Sequence, residues 1–325
     1  MRRPYIFLLP VLLGQCVDGS IPGTVTLVQD QQITISSAPI KLDTSYPSRH
    51  RIGALRFLGG WHLTSDARSF GGLSALDVNG NRVTALGDGG TVVRFRLGRF
   101  GTASDASIIR LPDGCGKVER KTDNDTEALA HNGTRTAWWV SYESRNAMCR
   151  TSADFTVGES VAKPDAIAAW PRKSGPESMT RLSDGRFLVI AEDARYYGDI
   201  RPIVIFDRDP TDPAAVATTL GYRAPAGFKP TDVAQLPDGR LLVLNRRFAL
   251  TSLFSAQLVL LPPLAERPRG VLQGSTIAQL QSPVIADNFE GLSVSVENSK
   301  PIIWVISDNN FMRWQRTLLL KFALD

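Results

Sequence analysis

Histidine and cysteine are scarce in this 325-residue sequence, with three of each. His50, His62 and His131 lie far apart, and neither an HExxH helix nor a paired-Cys motif occurs, so the donor set of a zinc site is missing. Long apolar runs are lacking too. The longest near the start, Pro4 to Gly14, is eleven residues, about half of the roughly 20 that a spanning helix needs. The net charge is +5, but no basic run exceeds a few residues, so the footprint of a nucleic-acid binder is absent. There is no Gly-rich nucleotide loop and no Walker motif. Gly72-Leu-Ser74-Ala-Leu is half of a nucleophile elbow, lacks the second Gly and falls between strands, which argues against a serine hydrolase. No segment sustains a 3.6-residue apolar period, which disfavours a helical solenoid. With 43% hydrophobic and 21% charged residues, the remainder reads as an ordinary folded body.

The first residues differ from the rest. Met1-Arg2-Arg3 is a positive n-region and Pro4 to Gly14 fits a secretory h-region, so residues 1–15 read as an export signal. Leu12-Leu13-Gly14-Gln15-Cys16 resembles a bacterial lipoprotein signal, in which Cys16 would carry lipid, although Gln15 stands where a small residue is usual. Ordinary cleavage nearby is the alternative. Export places the protein in the periplasm or cell envelope, lipid-anchored through Cys16, or makes it secreted. Cys115 and Cys149 then form an even pair consistent with one disulfide in an oxidising compartment; two unpaired thiols are the other reading.

From about residue 70 a short pattern returns. Gly175 to Asp193 aligns without gaps on Lys229 to Arg247, an offset of 54, and looser copies begin near Gly72, Glu127 and Glu290. Each copy reads as a short strand, a turn (Asn79-Gly80, Asn132-Gly133, Asp184-Gly185, Asp238-Gly239, Asn298-Ser299) and a second strand rich in Val, Ile, Leu and Trp. Asn-Gly and Asp-Gly supply the φ > 0 positions of tight hairpins. The anchors Glu127, Glu177, Thr231 and Glu290 lie 50, 54 and 59 residues apart, near the spacing of propeller blades with some loop growth. The expected fold is all-β: a single β-propeller of five or six four-stranded blades, 46–325, its ring closed by pairing the strand candidate Arg51 to Leu63 with the C-terminal strand. Residues 16–45 read as a tether or an outer strand. Trp138, Trp139 and Trp304 fall in second strands and are expected in the core.

Strands nearest a propeller axis converge, so side chains at their starts meet. Glu127, Glu177 and Glu290 all have the form Glu-small-(Leu/Met), and they are the candidate catalytic residues. The second strands end in Asp88, Glu143, Glu192-Asp193 and Asp308, placing more acid on the same face. Glu127, Glu177, Glu290, Asp88, Glu143, Glu192 and Asp308 are therefore candidate metal ligands: carboxylates in such number suit a hard divalent cation, Ca²⁺ first and Mg²⁺ second. Arg145, Arg195, Arg247 (with Arg246 beside it) and Arg313 follow those acids and are candidate holders of an anionic substrate; inter-blade salt bridges are the structural alternative. In the fourth copy Thr231 takes the Glu slot, and Asp232, one residue on, faces the other way and is a doubtful ligand.

The series Phe70-Gly-Gly-Leu-Ser74, Glu127-Ala-Leu-Ala130, Pro176-Glu-Ser-Met179, Pro230 to Arg240, Asn245-Arg-Arg-Phe248, Asn288-Phe-Glu-Gly-Leu292 and Ser307-Asp-Asn-Asn-Phe311 resembles the bacterial phytase-like family, often described as having esterase-like activity of phytase. The resemblance covers about residues 50–325. It implies an envelope-associated or secreted propeller. By a more distant analogy with calcium-dependent propeller phytases, it implies phosphoester hydrolysis by a metal-activated water. Glu127, Glu177 and Glu290 fall on the family's repeated acidic positions, and Asp88 and Asp308 on its second-strand acids. The expected function is thus a metal-dependent ester hydrolase acting on a small anionic ester, a phosphoester in the first instance. A lactonase or carboxylester hydrolase and a non-catalytic envelope scaffold are the alternatives. No nucleic-acid partner is expected, and the membrane enters only through Cys16; the protein is expected to be a monomer.

Overall fold

In the computed structural model, residues 30–115, 124–193, 198–251 and 253–325 are described. The export signal, Cys16 and Arg195 lie outside them. Five antiparallel sheets stand around one axis, so the ring has five blades. Their innermost strands are Leu73–Asn79, Thr126–His131, Pro176–Arg181, Lys229–Gln235 and Phe289–Glu297. Second, third and outer strands follow in chain order within blades 1 to 4. Among the described residues, no helix is long and apolar enough to cross a membrane.

Blade 5 is assembled from both ends of the chain. Thr317–Leu324 lies between Lys300–Ser307 and the N-terminal strand Leu55–Thr64, paired antiparallel with each. The segment before it supplies outer strands to two blades: Gln31–Gln32 pairs with Ala103–Arg110 of blade 1, and Ser36–Pro39 pairs with Leu55–Thr64. Ile35 and Leu42 of this segment are buried.

Five apolar cores occupy the five gaps between neighbouring sheets. Leu86 and Val92 of blade 1, for example, meet Trp138 and Val140 of blade 2, while Leu188 and Ile203 of blade 3 meet Val243 and Val259 of blade 4. Because each central strand is covered on both faces, it reads as a continuous apolar run rather than an alternation. Trp138, Trp139 and Trp304 are buried in these gaps. The Asp-Gly-Arg turns of blades 3 and 4 are clamped alike: the Arg186 guanidinium donates to Asp184 and that of Arg240 to Asp238, each Nε···Oδ2 distance being 2.8 Å. Gly185 and Gly239 hold the positive φ that these turns require. Cys115, in a short turn after blade 1, is disulfide-bonded to Cys149 in the third strand of blade 2.

Candidate active site at the acidic end of the axis

All five inner strands are irregular at one place. Between inner and second strand the register slips by one residue at Ser74, Glu177, Thr231 and Glu290, and between Thr126 and Leu129 in blade 2, where Glu127 and Ala128 lie. A bulge of this kind leaves one residue out of the ladder and re-aims its side chain. The repeated Glu slot is thus a bulge position, and its occupants around the ring are Ser, Glu, Glu, Thr and Glu.

Hydroxyls at and near the bulges tie blade to blade. Ser74 Oγ donates to the Thr126 carbonyl at 2.9 Å, Ser141 Oγ to the Pro176 carbonyl at 2.7 Å and Thr231 Oγ1 to the Phe289 carbonyl at 3.4 Å. Asp232 is buried and turned into the blade wall, where its carboxylate accepts the Leu292 N–H at 2.7 Å and the Val233 N–H at 2.8 Å. It braces blades 4 and 5 and does not join the axial acids.

Those acids divide into two groups. On the side of blades 3 to 5, Arg246 Nη2 reaches Glu192 Oε1 at 3.0 Å and Arg246 Nη1 lies 3.4 Å from Glu290 Oε1. Asn288 orients this pair, accepting from Arg246 Nη1 at 2.9 Å and donating to Glu290 Oε1 at 2.8 Å. Lys229 Nζ reaches Glu192 Oε2 at 3.1 Å and Asp193 Oδ2 at 3.2 Å. Arg201, itself buried, donates from Nε to the Glu192 carbonyl at 2.9 Å and holds that corner in place. On the side of blade 2, Asp125, Glu127 and Glu143 bring oxygens within 4.8 Å of one another. The Glu143 carboxyl also lies close enough to those of Asp125 and Glu177 to interact with both. None of these four acids forms an ion pair among the described residues.

The electrostatics follow from that division. Burial pushes the Glu127 carboxyl well above the usual range, and the charges of Glu290, Asp125, Glu143 and Asp88 push it further. Glu177 rises for the same reasons, burial first and then Glu127 and Glu192. Burial lifts Glu143 to about 7, and burial with the charge of Glu290 lifts Asp308 to about 8. Glu290 rises because it is buried, with Arg246 pulling the other way. Like charges gathered in a low-dielectric pocket cannot all ionise without a counterion.

Of the candidate arginines, Arg145 lies over the Tyr142 ring, 3.9 Å from its centroid, with buried Nε and Nη2 that have no hydrogen-bond partner. Arg247 packs over Phe228 at 4.7 Å, and its buried Nε is also unpartnered. Arg313 is exposed on the loop after Asp308. Asp88 lies beside Gly72, where the Asn309 and Phe311 side chains close over the backbone. Asp125, Lys229, Arg201 and Asn288 are members of the cluster that repeat-based reading passes over. Arg246 had a signal: it occupies the slot that holds Glu192 one blade earlier, and the two aligned residues meet as an ion pair.

A five-bladed β-propeller with a carboxylate-rich axial mouth is the class that this fold and site define. Residues 68–311 match the phytase-like family, described as esterase-like activity of phytase, and the chain belongs to that family. No match was found among curated protein sequences. Among solved structures, the glutaminyl cyclase of Myxococcus xanthus is similar at 10% identity, a TM-score of 0.46 and coverage of 83% of this chain and 97% of that one. The β-propeller domain of Cps50 (Swd1) from Myceliophteria thermophila is similar at 12% identity and a TM-score of 0.35, over 73% of this chain and 65% of that one.

Proposed function

We propose that the chain is an exported hydrolase of small phosphoesters that works with an oxygen-ligated divalent cation, Ca²⁺ in the first instance. The observation that carries this reading is the uneven neutralisation of the acid ring. Arg246 and Lys229 balance Glu192 and Glu290, while Asp125, Glu127 and Glu143, with Glu177 beside Glu143, gather oxygens that form no ion pair among the described residues. All-carboxylate donors at this spacing fit a hard cation, and burial together with like-charged neighbours raises Glu127 and Glu177. When bound, the cation would supply Lewis-acid polarisation and a lowered water pKa.

The chain's own groups take the other roles. Arg145 and Arg247 hold unspent buried N–H donors, each of which costs about 1–3 kcal/mol unless a ligand accepts from it; phosphoryl oxygens are suitable acceptors. Glu143 and Glu177, neighbours at the edge of the carboxylate group, are the residues we assign to take a proton from the attacking water. Hydrolysis of p-nitrophenyl phosphate by the purified protein tests the reading. Activity should vanish with EDTA, return with Ca²⁺, and fall at least about a hundredfold in Glu177→Gln. Activity indifferent to both changes would overturn the metal mechanism, and turnover of a lactone panel with none of the phosphoester would move the reading to a lactonase.

A further inference from the structure

The axis has a second end. Two residues beyond the repeated Glu slot the five inner strands carry Leu76, Leu129, Met179, Val233 and Leu292, all buried, and four residues beyond it they carry Val78, His131, Arg181, Gln235 and Val294. The first set makes an apolar collar beneath the acids. With His131, Arg181, Gln235 and Val294 it walls a cavity of about 330 Å³ that reaches the hairpin turns at Gly133, Ser183 and Pro237, on the face opposite the acids. A concave space of this size, mostly apolar and with a few polar groups at its rim, has the character of a small-molecule site.

The rim is fixed on the side of blades 1 and 2. Asp77 accepts from Arg135 Nε at 2.7 Å and Nη2 at 2.8 Å, and His131 Nε2 lies 3.1 Å from the same carboxylate. His131 Nδ1 in turn accepts the Gly133 N–H at 2.9 Å. Arg135 has φ 60°, a left-handed conformation that persists only where the surroundings impose it; here the bidentate bond to Asp77 does so.

The polar groups of the wall can be accounted for one by one. Burial works against the Asp77 charge, but the His131 and Arg135 hydrogen bonds outweigh it and hold that carboxyl below its usual range, so Asp77 and Arg135 cancel. Burial pushes the Asp232 carboxyl well above its usual range, despite the two N–H groups it accepts. Gln235 is spent on the Ser183 N–H and the Gly239 carbonyl. Among the described residues, Arg181 is the one charged side chain of this wall that forms neither an ion pair nor a hydrogen bond. One uncompensated guanidinium above an apolar collar selects a ligand with one negative charge and a hydrocarbon body. A carboxylate matches the guanidinium fork, whereas a dianion would leave a charge unbalanced in the cavity. The orientation follows from the strand: four residues put the backbone of Arg181 about 13 Å from the Glu slot, so a carboxylate at Arg181 is kept from the acids by the collar.

We propose that the end of the axis opposite the acids is a second binding site, for a small aliphatic monocarboxylate whose carboxylate pairs with Arg181 and whose chain lies in the collar. It does not rest on the hydrolase reading. The test is isothermal titration of the full chain with hexanoate in EDTA, which keeps divalent cations from holding the carboxylate at the acidic mouth. Binding should saturate at one site per chain and strengthen roughly fourfold for each methylene from acetate to hexanoate. Hexanamide, with the same chain and no charge, should bind at least about tenfold more weakly. Arg181→Gln should weaken hexanoate binding roughly ten- to hundredfold without moving the melting temperature of the ligand-free protein, and Arg181→Lys should recover part of the affinity. Methionine-methyl NMR locates the ligand: hexanoate should shift Met179, in the collar, and leave Met312, on the loop after Asp308, in place. No saturable binding, hexanamide bound as well as hexanoate, affinity untouched by Arg181→Gln, or a shift of Met312 in place of Met179 would each overturn the proposal, the last by putting the anion on the acidic face.

Discussion

Arg246 shows how much one side chain decides at this site. It bridges Glu192 and Glu290, and its influence, with the Asn288 hydrogen bond, keeps Glu290 from rising as far as its burial would dictate. Removing one partner of a buried ion pair typically costs about 3–5 kcal/mol, because the other charge is stranded. Arg246→Met should therefore lower the chemical-denaturation midpoint by an amount of that order and abolish hydrolysis, with Arg246→Lys recovering part of the stability. The acids themselves make a prediction about pH. A carboxyl whose folded pKa is raised binds more protons folded than unfolded, so stability falls as pH rises between the two values. For Glu143 the window runs from 4.5 to about 7, and for Asp308 from 3.8 to about 8. The metal-free protein should be most stable near pH 4 to 5 and lose stability steadily to about pH 8, seen as a falling melting temperature, and Ca²⁺ should cancel the loss at the upper end. A melting temperature flat across that window would show that the cluster carries its own counter-charge.

At the scale of the element, the bulge does what the strand alone cannot. A regular inner strand alternates its side chains between two faces that both pack against neighbouring blades; the extra residue at Ser74, Glu177, Thr231 and Glu290 escapes that alternation. The Glu-small-Leu pattern was visible in the sequence because the slot repeats, and so were the hairpins, because Asn-Gly and Asp-Gly turns leave few conformational alternatives. Asp125 and Lys229 were not visible: each reaches the cluster from a connecting or opening position that no other copy fills with a like residue. The Gly71-Gly72 entry to blade 1 makes a further element-level demand. Gly72 has φ +62°, and a Cβ there would run into the Asp88 carboxylate and the Phe311 ring. Gly72→Ala should cost about 1–3 kcal/mol and displace Asp88, so activity should fall more than stability; equal losses in both would mean that Asp88 has no part in the chemistry.

The ring as a whole is closed in two ways that act at different places. Blade 5 takes strands from both ends of the chain, and Thr317–Leu324 is interior to that sheet, hydrogen-bonded on both sides. Composition and length left the blade count open between five and six, since weak repeats of 50 to 59 residues do not say whether the N-terminal strand begins a blade or completes one. The pairing of Leu55–Thr64 with Thr317–Leu324 answers it, and five sheets leave five apolar gaps, each with its own core. The disulfide acts elsewhere, across the gap between blades 1 and 2, closing a loop of 34 residues. On loop entropy alone that is worth about 3–4 kcal/mol. Removing a closing strand takes away ladder partners on both sides and opens the gaps flanking blade 5, whereas breaking the disulfide leaves every core in place. Truncation after Arg316 should therefore abolish the cooperative melting transition. Reduction, or Cys115→Ser with Cys149→Ser, should lower the transition temperature but keep it single and sharp. A truncated protein that still melts cooperatively would mean that four blades hold together without the closure, and that the fifth is an accessory to the acidic site rather than a condition of the fold.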